Sequence, residues 1–195
     1  MTTNMSRKNT LLPGLLVAGL CALAGIPAGA QGNGRPSGPA PGGAATVIAL
    51  SANEAKDLAY MREEEKMARD IYRKLHGKWN LRVFDRIAES EQRHFDAVGR
   101  LLTRANVEDP AAGLTEGVFA DPKLQTLYNE LLLKGESSLK DALEVGVLIE
   151  KTDIADLETA ITTVVNTEVK RMYTSLLQGS MNHLEAFESC LEILN

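Results

Sequence analysis

Cysteine is nearly absent. Only Cys21 and Cys190 occur in 195 residues, and Cys21 falls in a segment expected to be removed. One remaining thiol cannot close an intramolecular disulfide, so packing, or metal, must hold the fold. Aromatics are also scarce, at 5% with a single tryptophan; with abundant Leu, Ala and Glu this argues for helices and against a β-sandwich. There is no block of Lys and Arg and no basic run interleaved with aromatics, so nucleic acid is not an expected partner.

A run long enough for a confident membrane span is missing too. The apolar stretch from Leu11 to Ala24 is short and soon interrupted. It follows Arg7 and Lys8 and precedes the small-x-small pattern Ala28-Gly29-Ala30, the layout of a secretory signal peptide over residues 1–30 cleaved before Gln31. Export to a periplasm or the extracellular space is predicted, with no stable membrane insertion after cleavage. Leu20 is too large a neighbour for Cys21 to be a lipidation site. Cleavage removes two basic residues and no acidic one, so 19 basic residues face 26 acidic ones and the formal net charge moves from −5 to −7. Residues 31–50 begin rich in Gly, Pro and Ala and read as a disordered linker. Residues 51–195 are then one domain, large enough for a core.

What is present is helical periodicity. Ser51 and Glu54 form a capping-box signature, and the first helix is expected to reach about His76 and stop at Gly77. Its inward seam reads Leu58, Met61, Glu65, Ala68, Tyr72, Leu75, a carboxylate among core residues. Glu63 and Glu64 lie off the seam and read as a solvated charge run. The second helix, roughly Leu81 to Arg104, carries the stripe Phe84, Ile87, Phe95, Val98, Leu101, with Glu91 on it and His94 beside it. Glu-x-x-His puts both side chains on one face, one turn apart. So short a link makes these helices antiparallel neighbours.

A long connection follows, containing one short helix opened by Asp121-Pro122 and closed by Gly135. In it Leu124, Leu127, Tyr128 and Leu131 are expected to pack on the bundle. Ser137 and Ser138 open the third main helix, with the seam Leu139, Ala142, Gly146, Glu150 or Ile149, Asp153, Leu157, Ile161, Val164. Asn166 or Thr167 caps the fourth, with the seam Val169, Met172, Leu176, Gly179 or Ser180, His183, Phe187, Cys190. Gly146 and Gly179, one turn before Glu150 and His183, would clear space for those side chains, close helix packing being the alternative. Tyr72 could hydrogen-bond a site residue or relay an electron, or serve as plain core. His76 suits a carbonyl contact at a helix end.

Each of four helices thus turns at least one ionisable group inward: Glu65, Glu91 with His94, Glu150 with Asp153, and His183. Several buried acids cannot all stay charged in a dry core. Divalent cations would neutralise them, and iron or manganese accepts this mix of carboxylate and imidazole; a hydrogen-bonded polar core is the alternative.

A Glu helix, a Glu-x-x-His helix, a long crossover, another Glu helix and a His helix resemble the ferritin-like di-iron carboxylate superfamily, over about Leu58 to Leu191. The runs EEEKMARDIY, ESEQRHF, ALEVGVLIEKTDIADL and GSMNHLEAF resemble a prokaryotic branch of it, the domain of unknown function DUF2202. That resemblance implies an all-α, ferritin-like up-down four-helix bundle with the crossover between main helices two and three. It also implies two iron ions, or iron and manganese, held by Glu65, Glu91, His94, Glu150 and His183. One departure stands out: Ser180 occupies the position three before His183 where the family has a glutamate, and Asp153 is the candidate substitute. No four-cysteine iron site accompanies the bundle, so it is not a complete rubrerythrin.

The expectation is an exported metalloprotein that oxidises ferrous iron or reduces oxygen or peroxide. A non-catalytic metal-binding or structural bundle of the cell envelope is the alternative, and a homodimer is the largest assembly entertained.

Overall fold

The computed structural model describes residues 47–194; the expected signal peptide and the expected linker up to residue 46 lie outside them. Among the described residues there are five helices and no strand: α1 (Ala52–Trp79), α2 (Arg82–Ala105), α3 (Pro122–Gly135), α4 (Leu139–Thr163) and α5 (Thr167–Leu194). The last linker residues pack on the bundle, with Ile48 buried and its N–H donating to Arg104 O at 3.1 Å.

Each start has a local cause. Ser51 and Glu54 cap α1 reciprocally, Asp121 accepts from Lys123 and Leu124 N–H ahead of Pro122, Ser138 accepts from Asp141 N–H, and Asn166 Oδ1 accepts from Glu168 and Val169 N–H. The end of α1 differs from expectation. Gly77 continues the helix, and Asn80 terminates it in the left-handed region (φ 50°, ψ 32°). Asparagine tolerates that conformation; Asn106 ends α2 in the same way.

The pairs α1–α2 and α4–α5 are hairpins joined by short links. Glu54 on α1 meets the Val165 and Asn166 N–H groups after α4, while Tyr72 reaches Glu150, so α4 runs antiparallel to α1. Arg104 meets Glu168 and Glu91 meets His183, so α5 runs antiparallel to α2. The order of directions is therefore up, down, down, up, and the alternation breaks at the crossover, which is long enough to travel the length of the bundle. Along it, α3 lies on α1 and α4, burying Leu124, Tyr128 and Leu131 with Leu127 against them.

The apolar interior forms two clusters. One is built on Ile71, Phe84, Leu143 and Phe187, the other on Leu58, Leu102, Leu157 and Leu176. On all four main helices the break between clusters falls where Glu65, Glu91, Glu150 and His183 lie. Two seam positions differ from expectation: Tyr173 takes the buried place beside half-buried Met172, and Phe95 leaves the core to lie under the Arg62 and Arg69 guanidinium groups.

Candidate metal centre

Between the two clusters the main helices deliver four buried groups, Glu65 (α1), Glu91 (α2), Glu150 (α4) and His183 (α5), with His94 and half-buried Asp153 beside them. Glu91 sits at the middle. Its Oε2 is 2.8 Å from His94 Nδ1, and its Oε1 is 2.7 Å from His183 Nδ1. Glu65 Oε2 lies 3.3 Å from His94 Nδ1, and Glu150 Oε2 lies 3.4 Å from His183 Nδ1. Two triads result, Glu65–Glu91–His94 and Glu91–Glu150–His183, each with its ligand atoms within 4.8 Å of one another. The imidazoles stack at 5.5 Å. Both triads could hold a metal ion.

The donor atoms fit a cation better than they fit one another. Glu65 Oε1, Glu91 Oε1, His94 Nδ1 and His183 Nδ1 are buried without a hydrogen-bond partner, although the nitrogens are within ion-pair range of carboxylates. Such groups cost about 1–3 kcal/mol each when left unmet.

Charge tells the same story. Burial, then Asp153 and Glu91, drive the Glu65 carboxyl well above its usual range. Burial and Glu91 push Glu150 up to about 7. Burial also lifts Asp153 to about 7, against the Ser180 hydroxyl that opposes the rise. Burial would raise Glu91 as well, but the two imidazoles hold it low. Burial would depress His183, but Glu91 and Glu150 carry it to about 10; His94 is raised for like reasons. The cluster is short of positive charge and gathers protons to compensate. With neutral imidazoles, Glu65, Glu91, Glu150 and Asp153 would carry four negative charges, which two divalent cations balance.

Neighbouring groups fix the carboxylates. Tyr72 Oη donates to Glu150 Oε1 at 2.6 Å, and Ser180 Oγ donates to Asp153 Oδ2 at 2.5 Å. Asp153 belongs to neither triad; Ser180 holds it beside the centre. Gly179 clears space as expected, but mainly for the other histidine: a Cβ there would lie 2.6 Å from His94 Nε2. Gly146 instead admits Phe187, whose ring a Cβ would meet at 2.8 Å. His76 Nδ1 approaches Leu81 O at 3.3 Å.

Glu63 and Glu64 are not solvated; both are buried. The reason is α3. A single inward seam treats the rest of α1 as surface, whereas the crossover covers another face of it. Glu63 accepts from Ala120 and Asp121 N–H at 2.5 and 3.1 Å, tying down the entry to α3. Lys66, Arg69 and Asp70 are buried too; the Lys66–Asp70 spacing, i to i+4, was the available sign.

Residues 54–194 match the family described as uncharacterized protein domain DUF2202. The uncharacterized protein MJ0754 of Methanocaldococcus jannaschii is 49% identical over 138 residues, which span 71% of this chain and 75% of that one. The crystal structure of hypothetical protein MJ0754 from Methanococcus jannaschii superposes with a TM-score of 0.73 at 44% identity, covering 83% of this chain and 87% of that one. With the family pattern running through nearly all of the helical domain, the chain belongs to the DUF2202 family.

Proposed function

We propose that this is an exported, ferritin-like metalloprotein whose centre takes two iron ions, or iron and manganese, and oxidises ferrous iron or reduces oxygen or peroxide. One observation carries the proposal: two buried triads share Glu91, and four of their polar atoms, on Glu65, Glu91, His94 and His183, have no hydrogen-bond partner. The up, down, down, up order of the main helices supports the ferritin-like assignment. Glu65 with His94 would hold one ion, Glu150 with His183 the other, and Glu91, common to both triads, would serve both. Such ions, when bound, supply the electrons that oxygen or peroxide takes up.

The chain's own residues do the rest. Tyr72 orients Glu150, Ser180 orients Asp153, and the nitrogen donors keep the two positions chemically distinct. A cavity of about 120 Å³ reaches Glu65, Glu91 and Glu150 past Met67, Leu131 and Leu148. It admits a small oxidant and excludes larger organic substrates. Electrons come from ferrous iron or from an outside donor.

The test is anaerobic addition of ferrous iron to metal-free protein, followed by air. Uptake of about two ions per chain and rapid oxidation with a transient near-ultraviolet band support the enzyme. A stable complex without oxidation supports the non-catalytic metal-binding alternative, and no uptake defeats both. Export is tested by N-terminal sequencing of the mature protein, expected to begin at Gln31.

A further inference from the structure

Three consecutive glutamates on α1 have three different surroundings. Glu63 is satisfied by backbone N–H groups, and Glu65 belongs to the centre. Glu64 is 8% exposed, its Oε2 has no hydrogen-bond partner, and it lines the same cavity as Glu65, Glu91, Glu150 and Asp153. The charged groups that weigh most on it are Asp153 and Asp156, both acids; Asp156 and the Tyr60 hydroxyl are also within hydrogen-bond reach of its carboxyl, which leaves Oε2 unmet. Asp153 and Asp156 are three residues apart on α4, so both face α1. Asp156 is exposed, whereas Asp153 is half-buried.

We propose that Glu64, with Asp153 and Asp156, is a transit station where a hydrated divalent cation pauses between solvent and the Glu65–Glu91–Glu150 centre. The acids form a graded line: exposed Asp156, then Asp153 and Glu64 on the cavity wall, then the triads. An oxygen buried without a donor, among like charges, has a use if a cation visits it. These three residues do not converge as the two triads do, which suits passage through a water shell rather than permanent chelation. Ser180, by gripping Asp153 Oδ2, keeps that carboxylate at the junction of station and centre. The proposal rests on the centre holding metal.

The test is stopped-flow loading of metal-free protein with cobalt(II) under argon, read by the visible bands of the bound ion. Glu64→Gln is expected to slow loading by about tenfold, the size of an electrostatic steering effect, while the final ion count and spectrum stay those of the wild type. A rate within about twofold of wild type would overturn the station, since lost steering should exceed that. A changed ion count or spectrum would overturn it as well, by making Glu64 a resident ligand. Asp156→Asn, an exposed substitution that leaves packing intact, is expected to slow loading by a smaller factor, and it decides the matter should Glu64→Gln fail to fold. Wild-type loading speed in Asp156→Asn counts against the station. Wild-type protein that takes up no cobalt at all fails the metal-centre reading itself, and the station with it.

Discussion

Adjacent residues on α1 open two buried charge clusters that handle burial in opposite ways. Around Lys66 the charges close on themselves. Lys66 Nζ lies 2.7 Å from Asp70 Oδ2 and 2.8 Å from Thr115 O, Arg69 Nη2 lies 2.7 Å from Asp70 Oδ1, and Gly117 N–H donates to Asp70 at 2.9 Å. Arg69 also reaches Gln92 at 3.0 Å. Around Glu65 no Lys or Arg enters; acids and imidazoles face each other with donor atoms unmet. Buried charge alone therefore says little about metal. The informative sign is an imbalance that the protein's own cations do not correct. The Lys66 cluster is structural, since it pins the crossover over α1. At Gly117 the backbone takes φ +78° and a Cβ would meet Tyr128 Oη at 2.8 Å, so only glycine brings that N–H to Asp70.

The sharpest way to break the contrast is to remove the shared carboxylate. Glu91→Ala is expected to lower metal content from about two ions per chain to about none, measured by elemental analysis of protein purified without added metal. Retention of both ions would sink the assignment. Asp70→Ala strands Lys66 and Arg69 in the interior and should cost about 3–5 kcal/mol in urea denaturation, with metal per folded chain unchanged. A loss of metal together with stability would erase the distinction between the clusters. Tyr72→Phe removes the hydroxyl that orients Glu150, and a weakening of metal binding by about 10–100-fold is expected in a competitive titration, with little change in fold.

The smallest effect uses a third carboxylate, at the bundle's end, as a control. Backbone N–H groups of Asn166 and Ser51 lower the half-buried Glu54 carboxyl to about 2. A lowered value means that the ionised form favours the folded state. Its contribution is then complete above the ordinary value of 4.5 and fades as pH falls toward 2. In metal-free protein, the denaturation midpoints of wild type and Glu54→Gln should differ at neutral pH and converge across that window. A constant gap would show that the cap does not act through its charge.

Periodicity reached the candidate centre because its buried polar groups share a face with the core: Glu65, Glu91, Glu150 and His183 each interrupt an apolar seam at three- or four-residue steps. It missed Glu63 and Glu64 because a seam is a single line, and where α3 lies across α1 depends on crossover geometry that no local pattern encodes. Gly146 is open in the sequence between space for Glu150 and close helix packing, because a missing Cβ says that something comes close without saying what; the structure gives the packing, with Phe187 in the space. The end of α1 was placed at Gly77 since glycine is the commoner terminator, yet Asn80 took the left-handed position. Glu91 as the common partner of both histidines follows from how the helices face each other, which spacing within α2 cannot supply.

The division of the interior into two oily halves has a thermodynamic corollary. The halves meet through a waist of buried acids and imidazoles that, on the proposed reading, bound cations would draw together. Each ion taken up would then add RT ln(1 + [M]/Kd) to the work of unfolding. The melting temperature of the chain would gauge the free metal around it, and a metal-starved molecule would be the first that proteases open.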